Sequence, residues 1–299
     1  MFLSEFDNLF EKSRLIRNSS FKTLGKLNAL FSDETLIFIS ESKYIRFLSN
    51  KISAVITTEE IYSQIQSEYP QIGILVVENP KNYFFEIHKY LYENNYYFKE
   101  FESLISYKAI ISDKNTFISD INVKIGDNTI IEPNVVIHKN TEIGNNCVIR
   151  SGTIIGTEGF EVIEIDGINQ VVPHGGKVII NDNVEIQANN TISKGLFPSR
   201  NTIIHEEVKT DNLVHIAHGA WIGKRAKIAA SAMIAGSVTI GKNVWIGPSA
   251  VISSGINIGD NASITLGSVV TKNVAEGQKV SGNFAIEHSK FLNFLKSIR

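Results

Sequence analysis

The chain has very little cysteine and no long hydrophobic run. Cys147 is its only cysteine, which excludes an internal disulfide framework and a cysteine-based metal cluster. No run of about 18 apolar residues occurs, which argues against a transmembrane helix. The N-terminal segment mixes acidic and basic residues and lacks the apolar core of a signal peptide. These absences predict a soluble cytoplasmic protein with no transmembrane segment.

Neither sign of charge dominates the sequence. Lysine and arginine number 29, aspartate and glutamate 31, and the formal net charge is -2. Without a basic stripe the chain is not expected to bind nucleic acid, whereas small polar or anionic ligands stay possible. A length of 299 residues favours two domains, or one domain extended by repetition.

Isoleucine recurs every six residues over much of the chain. The positions are Ile125, Ile131, Ile137, Ile143, Ile149, Ile155, Ile180, Ile186, Ile192, Ile204, Ile216, Ile222, Ile228, Ile234, Ile240, Ile246, Ile252, Ile258 and Ile264, with Thr210 and Val270 in the same phase. A helix repeats near 3.6 residues and a strand at 2, so neither alone explains this spacing. Glycine, asparagine or aspartate follows many of these positions and suits tight corners. The repeat predicts a mainly β protein, a parallel β-helix in which three hexads close each coil.

The repeat divides the chain into three predicted domains. A small α/β domain is expected over 1–104, the β-helix over 105–282 and a short C-terminal helix over 283–299. Residues 157–177 and 196–200 interrupt the six-residue phase. Loops on a rigid scaffold commonly carry binding groups, although tolerated insertions are the alternative.

The first hundred residues carry the signals of strands and one helix. Segments 35–40, 53–58 and 73–79 are rich in β-branched residues and predict strands. A helix is expected after Pro80, with its apolar residues on one face. At the other end of the chain, His288, Phe291, Leu295 and Ile298 stand at helical spacing, which predicts a helix that packs on a neighbour.

Two histidines in VHIAHGAWIG, His215 and His218, are candidates for chemistry. A zinc site needs a third protein ligand, and no other histidine is in phase with this pair. A structural role for His218 at a corner stays open. Since His218 follows the inward Ile216 by two residues, it lies on the outer wall, where clefts form between chains of a trimer. With an ordinary pKa of about 6.5 it suits general base catalysis, and Asp211, one hexad earlier, is a candidate to orient its ring.

Several segments resemble one enzyme family over nearly the whole chain. IFISESKYIRFL, SAVITT and ILVVENP resemble the family's uridine-binding domain, and SGTIIGTEGF, GKVIINDNVEIQANNTISKG and DNLVHIAHGAWIG follow its prism in order. The family is the UDP-3-O-acylglucosamine N-acyltransferases of lipid A biosynthesis, within the hexapeptide-repeat acyltransferases. The resemblance implies a left-handed β-helix, which departs from the general right-handed preference of parallel crossovers.

The resemblance also implies the catalytic roles. His218 occupies the position of the base that takes a proton from the sugar amine as it attacks an acyl thioester. The backbone N–H of Gly236 would stabilise the resulting oxyanion, unless this residue is only a corner glycine. Asp211 falls on the position of the residue that orients the ring, with a corner residue as the alternative.

Four residues are implied to bind the substrate. Asn212 contacts the sugar, and His215 lines the cleft beside the base. Phe38 and Tyr44 fall on the aromatic positions that hold uracil between them, although either side chain alone more often belongs to a core. The co-substrate is an acyl carrier protein or coenzyme A thioester, with no metal and no redox cofactor, and the expected assembly is a homotrimer.

The sequence departs from the family at four positions. His215 replaces a glutamine, Gly255 a second active-site histidine, Ser193 an aspartate and Glu41 an asparagine of the uridine pocket. The chain also ends soon after the prism, where the family continues into a helical extension that recruits acyl carrier protein. Two alternatives therefore stay open: a coenzyme A-dependent N-acetyltransferase of a nucleotide amino sugar for surface polysaccharide, and a non-enzymatic trimeric assembly module.

Overall fold

The N-terminal part of the chain forms a five-stranded sheet with two helices. The structure is a computed structural model that describes residues 1–27, 32–165, 167–282, 285 and 287–298. The elements of this domain are β1 Ser13–Arg17, β2 Thr23–Leu24, β3 Thr35–Ile39, β4 Ile52–Thr57, α1 Tyr62–Glu68, β5 Gly73–Val77 and α2 Pro80–Glu93. The strand order is β1-β5-β4-β3-β2, with β1 antiparallel to β5 and the remaining pairs parallel.

The strands and the helix expected in this domain are confirmed. β5 is buried along its whole length, as its continuous β-branched sequence requires. Asn79 caps α2 by accepting a hydrogen bond from the Asn82 N–H at 3.1 Å, and Pro80 takes the first turn. The sequence pattern does not predict the strands β1 and β2 or the helix α1, because β1 is only partly buried and the other two elements are short.

Short strands continue from residue 104 to residue 280. They are β6 Leu104–Ile105, β7 Ile110–Ile111, β8 Phe117–Ile118, β9 Val123–Ile125, β10 Ile130–Ile131, β11 Val136–Ile137, β12 Thr141–Ile143, β13 Val148–Ile149, β14 Ile154–Thr157, β15 Val162–Ile165, β16 Ile168–Val171, β17 Val178–Ile180, β18 Glu185–Ile186, β19 Thr191–Ser193, β20 Thr202–Ile204, β21 Lys209–Thr210, β22 His215–Ile216, β23 Trp221–Ile222, β24 Lys227–Ile228, β25 Met233–Ile234, β26 Thr239–Ile240, β27 Trp245–Ile246, β28 Val251–Ile252, β29 Asn257–Ile258, β30 Ser263–Ile264, β31 Val269–Val270 and β32 Lys279–Val280.

All of these strands except the hairpin β15–β16 belong to three parallel sheets, which form the faces of a triangular prism. The first face is β6-β9-β12-β17-β20-β23-β26-β29, the second β7-β10-β13-β18-β21-β24-β27-β30-β32 and the third β8-β11-β14-β19-β22-β25-β28-β31. The chain visits the first, second and third faces in turn, so three hexads make one uninterrupted coil and Ile216 pairs with Ile234. The predicted left-handed parallel β-helix is confirmed.

The isoleucines of the repeat fill the inside of the prism. Almost all of them are fully buried and belong to one continuous core. The single polar member of this core phase, Thr210, is also buried, and its hydroxyl has no hydrogen-bond partner among the described residues. Neighbouring coils therefore stabilise one another by burying the same small set of side chains.

Two positions of each corner meet different structural requirements, a left-handed backbone angle at one and close stacking of the coils at the other. The third residue after an inward isoleucine has a positive φ, as at Asn128 (56°) and Asn146 (54°), where asparagine tolerates the left-handed conformation. The glycine directly after the isoleucine serves close stacking instead, since a Cβ on Gly126 would stand 2.7 Å from the Gly144 carbonyl oxygen. The sequence predicts left-handed angles for both kinds of residue; the third position adopts them, whereas among the glycines directly after an inward isoleucine only Gly156 (85°) does.

Both interruptions leave the prism at the same corner, between the third and first faces. Residues 158–177 follow β14 and contain the antiparallel hairpin β15–β16, and residues 194–201 follow β19. Their apolar side chains, including Val172 and Phe197, belong to the same hydrophobic cluster as the core of the N-terminal domain. The interruptions therefore dock that domain against one corner of the prism.

A final helix, α3, spans His288–Ser297. Its existence confirms the prediction, but the expected packing is not found, because none of its described residues is buried. Residues 283, 284, 286 and 299 of the predicted C-terminal segment lie outside the described residues. No helix in the described part of the chain is long and apolar enough to cross a membrane. The proposed division at residues 104 and 282 stays a prediction.

Candidate active site

His218 lies at the corner from which both interruptions emerge. It follows β22 on the third face and precedes β23 on the first. Because three hexads complete a coil, Gly236 occupies the same corner one coil further on, and Gly255 follows it with an N–H that donates to the Gly236 carbonyl at 3.0 Å. Periodicity thus places the predicted base and the predicted oxyanion donor next to each other.

The ring of His218 is partly buried between two glycines. A Cβ on Gly236 would stand 2.6 Å from its Nε2, and a Cβ on Gly159 would stand 2.9 Å from its Cδ2. Burial, followed by the neighbouring His174 and Lys26, lowers the pKa of His218 from 6.5 to about 4. At neutral pH the imidazole is therefore uncharged and able to accept a proton.

The Gly236 amide, next to this ring, is not used by the hydrogen bonds in the described part of the prism. Within the described chain its N–H donates no hydrogen bond, while its carbonyl accepts from Gly255. An unused amide beside the base is the kind of donor that stabilises a developing oxyanion. Without a side chain at position 236, the His218 ring can stand this close to the corner.

Asp211 and Asn212 lie at a different corner of the same coil, between the second and third faces. The Asp211 carboxylate accepts from the Asn212 N–H at 2.7 Å and from its Nδ2 at 3.0 Å, and the Asn212 carbonyl oxygen of the side chain accepts from the Ala188 N–H. The described structure contains no hydrogen bond between Asp211 and His218. One hexad of separation moves a residue to the next corner, so the ring-orienting role of Asp211 and the sugar contact of Asn212 stay predictions.

His215 belongs to β22 on the third face rather than to the corner. It is partly buried, and burial lowers its pKa. The cleft around His218 is lined by Lys26, Leu196, Phe197, Ser199, Arg200, Gly219 and Ser237, a set that does not include His215. His215 does not line this cleft in the single chain, and its predicted place beside the base and its role in substrate binding stay predictions.

Arg200 links the two successive coils that carry His218 and Gly236 at this corner. Its Nε donates to the Gly219 carbonyl at 2.7 Å, and its Nη2 donates to the Ser237 carbonyl at 2.7 Å. Burial lowers the pKa of this guanidinium to about 10, which still leaves it charged at neutral pH. Sequence reasoning noted the interruption at 196–200 but missed the arginine, although it precedes His218 by the length of three hexads.

Phe38 and Tyr44 line one cavity of about 730 Å³ in the N-terminal domain. Phe38 packs on Phe84 with ring centroids 5.2 Å apart, whereas Tyr44 is 39% exposed. Glu41, one of the departures from the family, lines the same cavity. The two aromatic residues singled out from the sequence are therefore brought together at an open pocket.

Lys26 connects this cavity to the histidine corner. It lines both the aromatic cavity and the cleft around His218, and its Nζ lies 2.7 Å from Glu161 of the longer interruption. A ligand with an aromatic base at one end and a reactive group at the other would have to pass this ion pair. The arrangement suits an extended substrate rather than a compact one.

A second imidazole, missed by sequence reasoning, adjoins His218. The ring of His174, from the longer interruption, contacts that of His218 edge to face with centroids 5.3 Å apart. His174 is fully buried, its backbone N–H donates to Glu158 at 2.7 Å, and Glu158 pairs with Lys194 at 2.7 Å. The six-residue spacing could not identify His174 as a neighbour of His218, because His174 lies in an interruption of the repeat.

Metal-type donors do not cluster here. Across the described ranges of the chain, no group of three or more histidine, cysteine, aspartate or glutamate side chains is arranged to hold a metal ion. The corner brings together two imidazoles, one amide and the cations Lys26 and Arg200. Such a set can move a proton and stabilise an anion.

Comparison with known proteins matches this architecture. The model of the bacterial transferase hexapeptide (six repeats) matches residues 122–157, 201–236 and 237–272. A UDP-3-O-acylglucosamine N-acyltransferase of Methylacidiphilum infernorum is 45% identical over 84 residues, which are 28% of this chain and 23% of the relative. A protein of the same description from Chlamydia pneumoniae is 46% identical over 84 residues, with the same coverage. The match thus spans about a quarter of the length of these curated relatives.

A solved structure supports the fold. The UDP-N-acetylglucosamine acyltransferase from Campylobacter jejuni superposes with a TM-score of 0.50 and 20% identity, covering 66% of this chain and 81% of the other. At that identity the likeness concerns the fold alone. The residues matched by the family model lie in the prism and include His218 and Gly236.

Proposed function

We propose that this chain, a member of the bacterial hexapeptide-repeat transferases, moves an acyl group from a thioester to the amine of a UDP-linked amino sugar. The observation that carries the proposal is the position of the neutral His218 imidazole beside Gly236, whose N–H donates no hydrogen bond within the described residues. The aromatic cavity that shares Lys26 with this corner adds a place for the nucleotide.

In the proposed reaction, Nε2 of His218 takes a proton from the sugar amine as the nitrogen attacks the thioester carbonyl. A C–N bond forms, and the carbonyl becomes an oxyanion that accepts a hydrogen bond from the Gly236 N–H. Collapse of this intermediate breaks the C–S bond, and protonated His218 returns its proton to the departing thiolate. The products are an amide and a free thiol.

The substrate roles follow from the two ends of the site. Uracil would lie between Phe38 and Tyr44, and the rest of the UDP-sugar would extend past Lys26 towards the corner that carries His218. Asp211, Asn212 and His215 do not line this cleft in the single chain, so any contact they make to sugar or acyl group belongs to a neighbouring chain's cleft in the proposed trimer. Light scattering at micromolar concentration is expected to give three times the chain mass, and a monomer would contradict this part.

A mass-spectrometric transfer assay tests the function. The protein is offered UDP-3-O-acylglucosamine and other UDP-amino sugars, each with acyl carrier protein and coenzyme A donors. An N-acylated UDP-sugar is expected, and its mass identifies both partners of the reaction. Transfer from acetyl-coenzyme A alone would favour the N-acetyltransferase of surface polysaccharide and would remove the lipid A assignment. No transfer from any donor would favour the assembly module. The proposal includes a cytoplasmic location.

A further inference from the structure

The buried His174 has a nitrogen without a partner. Its side chain is fully buried, and its Nε2 makes no hydrogen bond within the described part of the protein. Its Nδ1 lies 3.0 Å from the Val172 carbonyl, which can only accept, so Nδ1 carries the ring proton. The unpartnered Nε2 is therefore a bare acceptor, and a buried acceptor of this kind calls for an explanation.

This acceptor faces the edge of the His218 ring. The position that a Cβ on Gly159 would take lies 2.4 Å from His174 Nε2 and 2.9 Å from both Cβ and Cδ2 of His218. Because Gly159 has no side chain, Nε2 of His174 and Cδ2 of His218 can both lie within 3 Å of this one point. Neither ring nitrogen of His218 has a hydrogen-bond partner in the described residues.

A half-turn of the His218 ring brings a donor to this edge. The second side-chain torsion of histidine is broadly two-fold, and a half-turn exchanges Cδ2 for Nδ1. The opposite edge is little changed, because Nε2 and Cε1 stand 2.6 Å and 2.7 Å from the position of a Cβ on Gly236. Nε2 therefore stays over the Gly236 corner in both orientations.

We propose that His174 is a positioning residue whose Nε2 accepts a hydrogen bond from Nδ1–H of His218. The bond fixes the tautomer of His218 in which Nε2 is unprotonated and free to act as the base. The catalytic role of this hydrogen bond rests on the proposed function, whereas the tautomer of His218 can be measured independently of that function. In this proposal His174 has the kind of positioning role that the resemblance implies for Asp211, which makes no hydrogen bond to His218 within the described residues.

Two charged residues hold His174 in this position. Glu158 accepts from its backbone N–H, stands 3.4 Å from its Nδ1, and pairs with the almost fully buried Lys194. Burial would raise the pKa of Glu158, but the hydrogen bonds from His174 and Lys194 outweigh it and lower the value to about 2. The carboxylate therefore stays charged and favours the proton on the Nδ1 side of His174, which keeps Nε2 an acceptor.

Nitrogen-15 solid-state NMR of histidine-labelled protein reads the tautomer directly. The His218 signals are assigned by their loss in His218→Ala. Wild type is expected to show His218 with a protonated Nδ1 and a bare Nε2. His174→Leu removes the acceptor and is expected to shift His218 to the tautomer protonated at Nε2. His174→Gln supplies an amide oxygen as the acceptor and should keep the wild-type tautomer.

A matched control and a second variant guard against a change of fold. His205→Leu removes another imidazole whose buried Nε2 has no hydrogen-bond partner in the described part of the chain. This ring contacts Trp221 and not His218, so the variant should leave the His218 signals unchanged. Gly159→Ala keeps both histidines but puts a methyl group between them, so it should have the same effect as His174→Leu. If His174→Leu does not fold, Gly159→Ala alone tests the proposal.

Activity completes the test. His174→Leu is expected to lower kcat by about tenfold to a hundredfold with little change in KM, as for a slightly misplaced catalytic group, and His174→Gln to recover most of it. A wild-type His218 protonated at Nε2, or a tautomer unchanged in both His174→Leu and Gly159→Ala, would overturn the proposal. The expected tautomers without any acyl transfer by wild type would keep the positioning contact and remove the proposed function.

Discussion

Replacing Gly236 by alanine is a sharp test of the corner's geometry. The added Cβ would stand 2.6 Å from Nε2 of His218 and 2.7 Å from Cε1, whereas ordinary contact begins at 3.4 Å. The ring must therefore retreat by about 0.8 Å. Retreat is restricted because Gly159 and His174 stand on the other side. The backbone itself tolerates alanine, since Gly236 does not have a positive φ.

The expected loss follows from that displacement. A misplacement of about 1 Å at a catalytic group can reduce the rate by roughly a hundredfold, which corresponds to about 2.7 kcal/mol in the activation free energy. The methyl group also crowds the amide that is proposed to bind the oxyanion. We expect Gly236→Ala to lower the initial rate of acyl transfer by about this factor, with an unfolding midpoint close to that of wild type.

Gly282→Ala is the matched control for this variant. No atom of the described residues lies within 4 Å of a Cβ at position 282, and its φ is not positive, so transfer should proceed at the wild-type rate. The assay is initial-rate product formation by mass spectrometry at saturating donor. If Gly236→Ala kept a third or more of the wild-type rate, the close relation between His218 and this corner would not be catalytic.

The remaining predictions concern stability and nucleotide binding. Thr210→Val removes a buried hydroxyl that has no hydrogen-bond partner among the described residues and should raise the free energy of unfolding by about 1 kcal/mol, measured by urea denaturation; a decrease would show that the hydroxyl is satisfied. Burial lowers the pKa of His88 to about 4, so the unfolded chain binds an extra proton between that value and about 6.5. Stability should therefore fall as pH drops from about 6.5 to 4, by up to about 1.4 kcal/mol per pH unit from this residue, and His88→Gln should flatten the slope; equal slopes would refute this. Phe38→Ala and Tyr44→Ala should each weaken UDP binding by about tenfold in calorimetry, as expected for lost base stacking, whereas Tyr107→Ala on the prism should not; unchanged affinity in both would exclude the aromatic cavity.

The prism could be predicted from the sequence because its physics is local and repetitive. Each isoleucine of the repeat meets its equivalents in the neighbouring coils, so a period of six specifies three faces and their core. The same logic places Gly236 beside His218, since three hexads return the chain to the same corner. The strands β3, β4 and β5 and the helix α2 could also be predicted from the sequence, because each carries a continuous apolar pattern.

The partners of His218 were harder to predict. Asp211 is close to His218 in sequence, but one hexad leads to the next corner of the prism. His174 and Arg200 lie on interruptions, where the period gives no information, and their positions depend on how the hairpin β15–β16 and residues 194–201 pack on the N-terminal domain. Long-range packing of this kind has no short sequence signature.

The most direct test of the central claim is the rate of acyl transfer by His218→Ala, measured with the acceptor and donor that wild type uses best. The account predicts a loss of kcat of roughly 10²–10⁴, the range of a removed general base, with UDP binding in the aromatic cavity retained. A variant that transfers within threefold of the wild-type rate would contradict the assignment of His218 as the base.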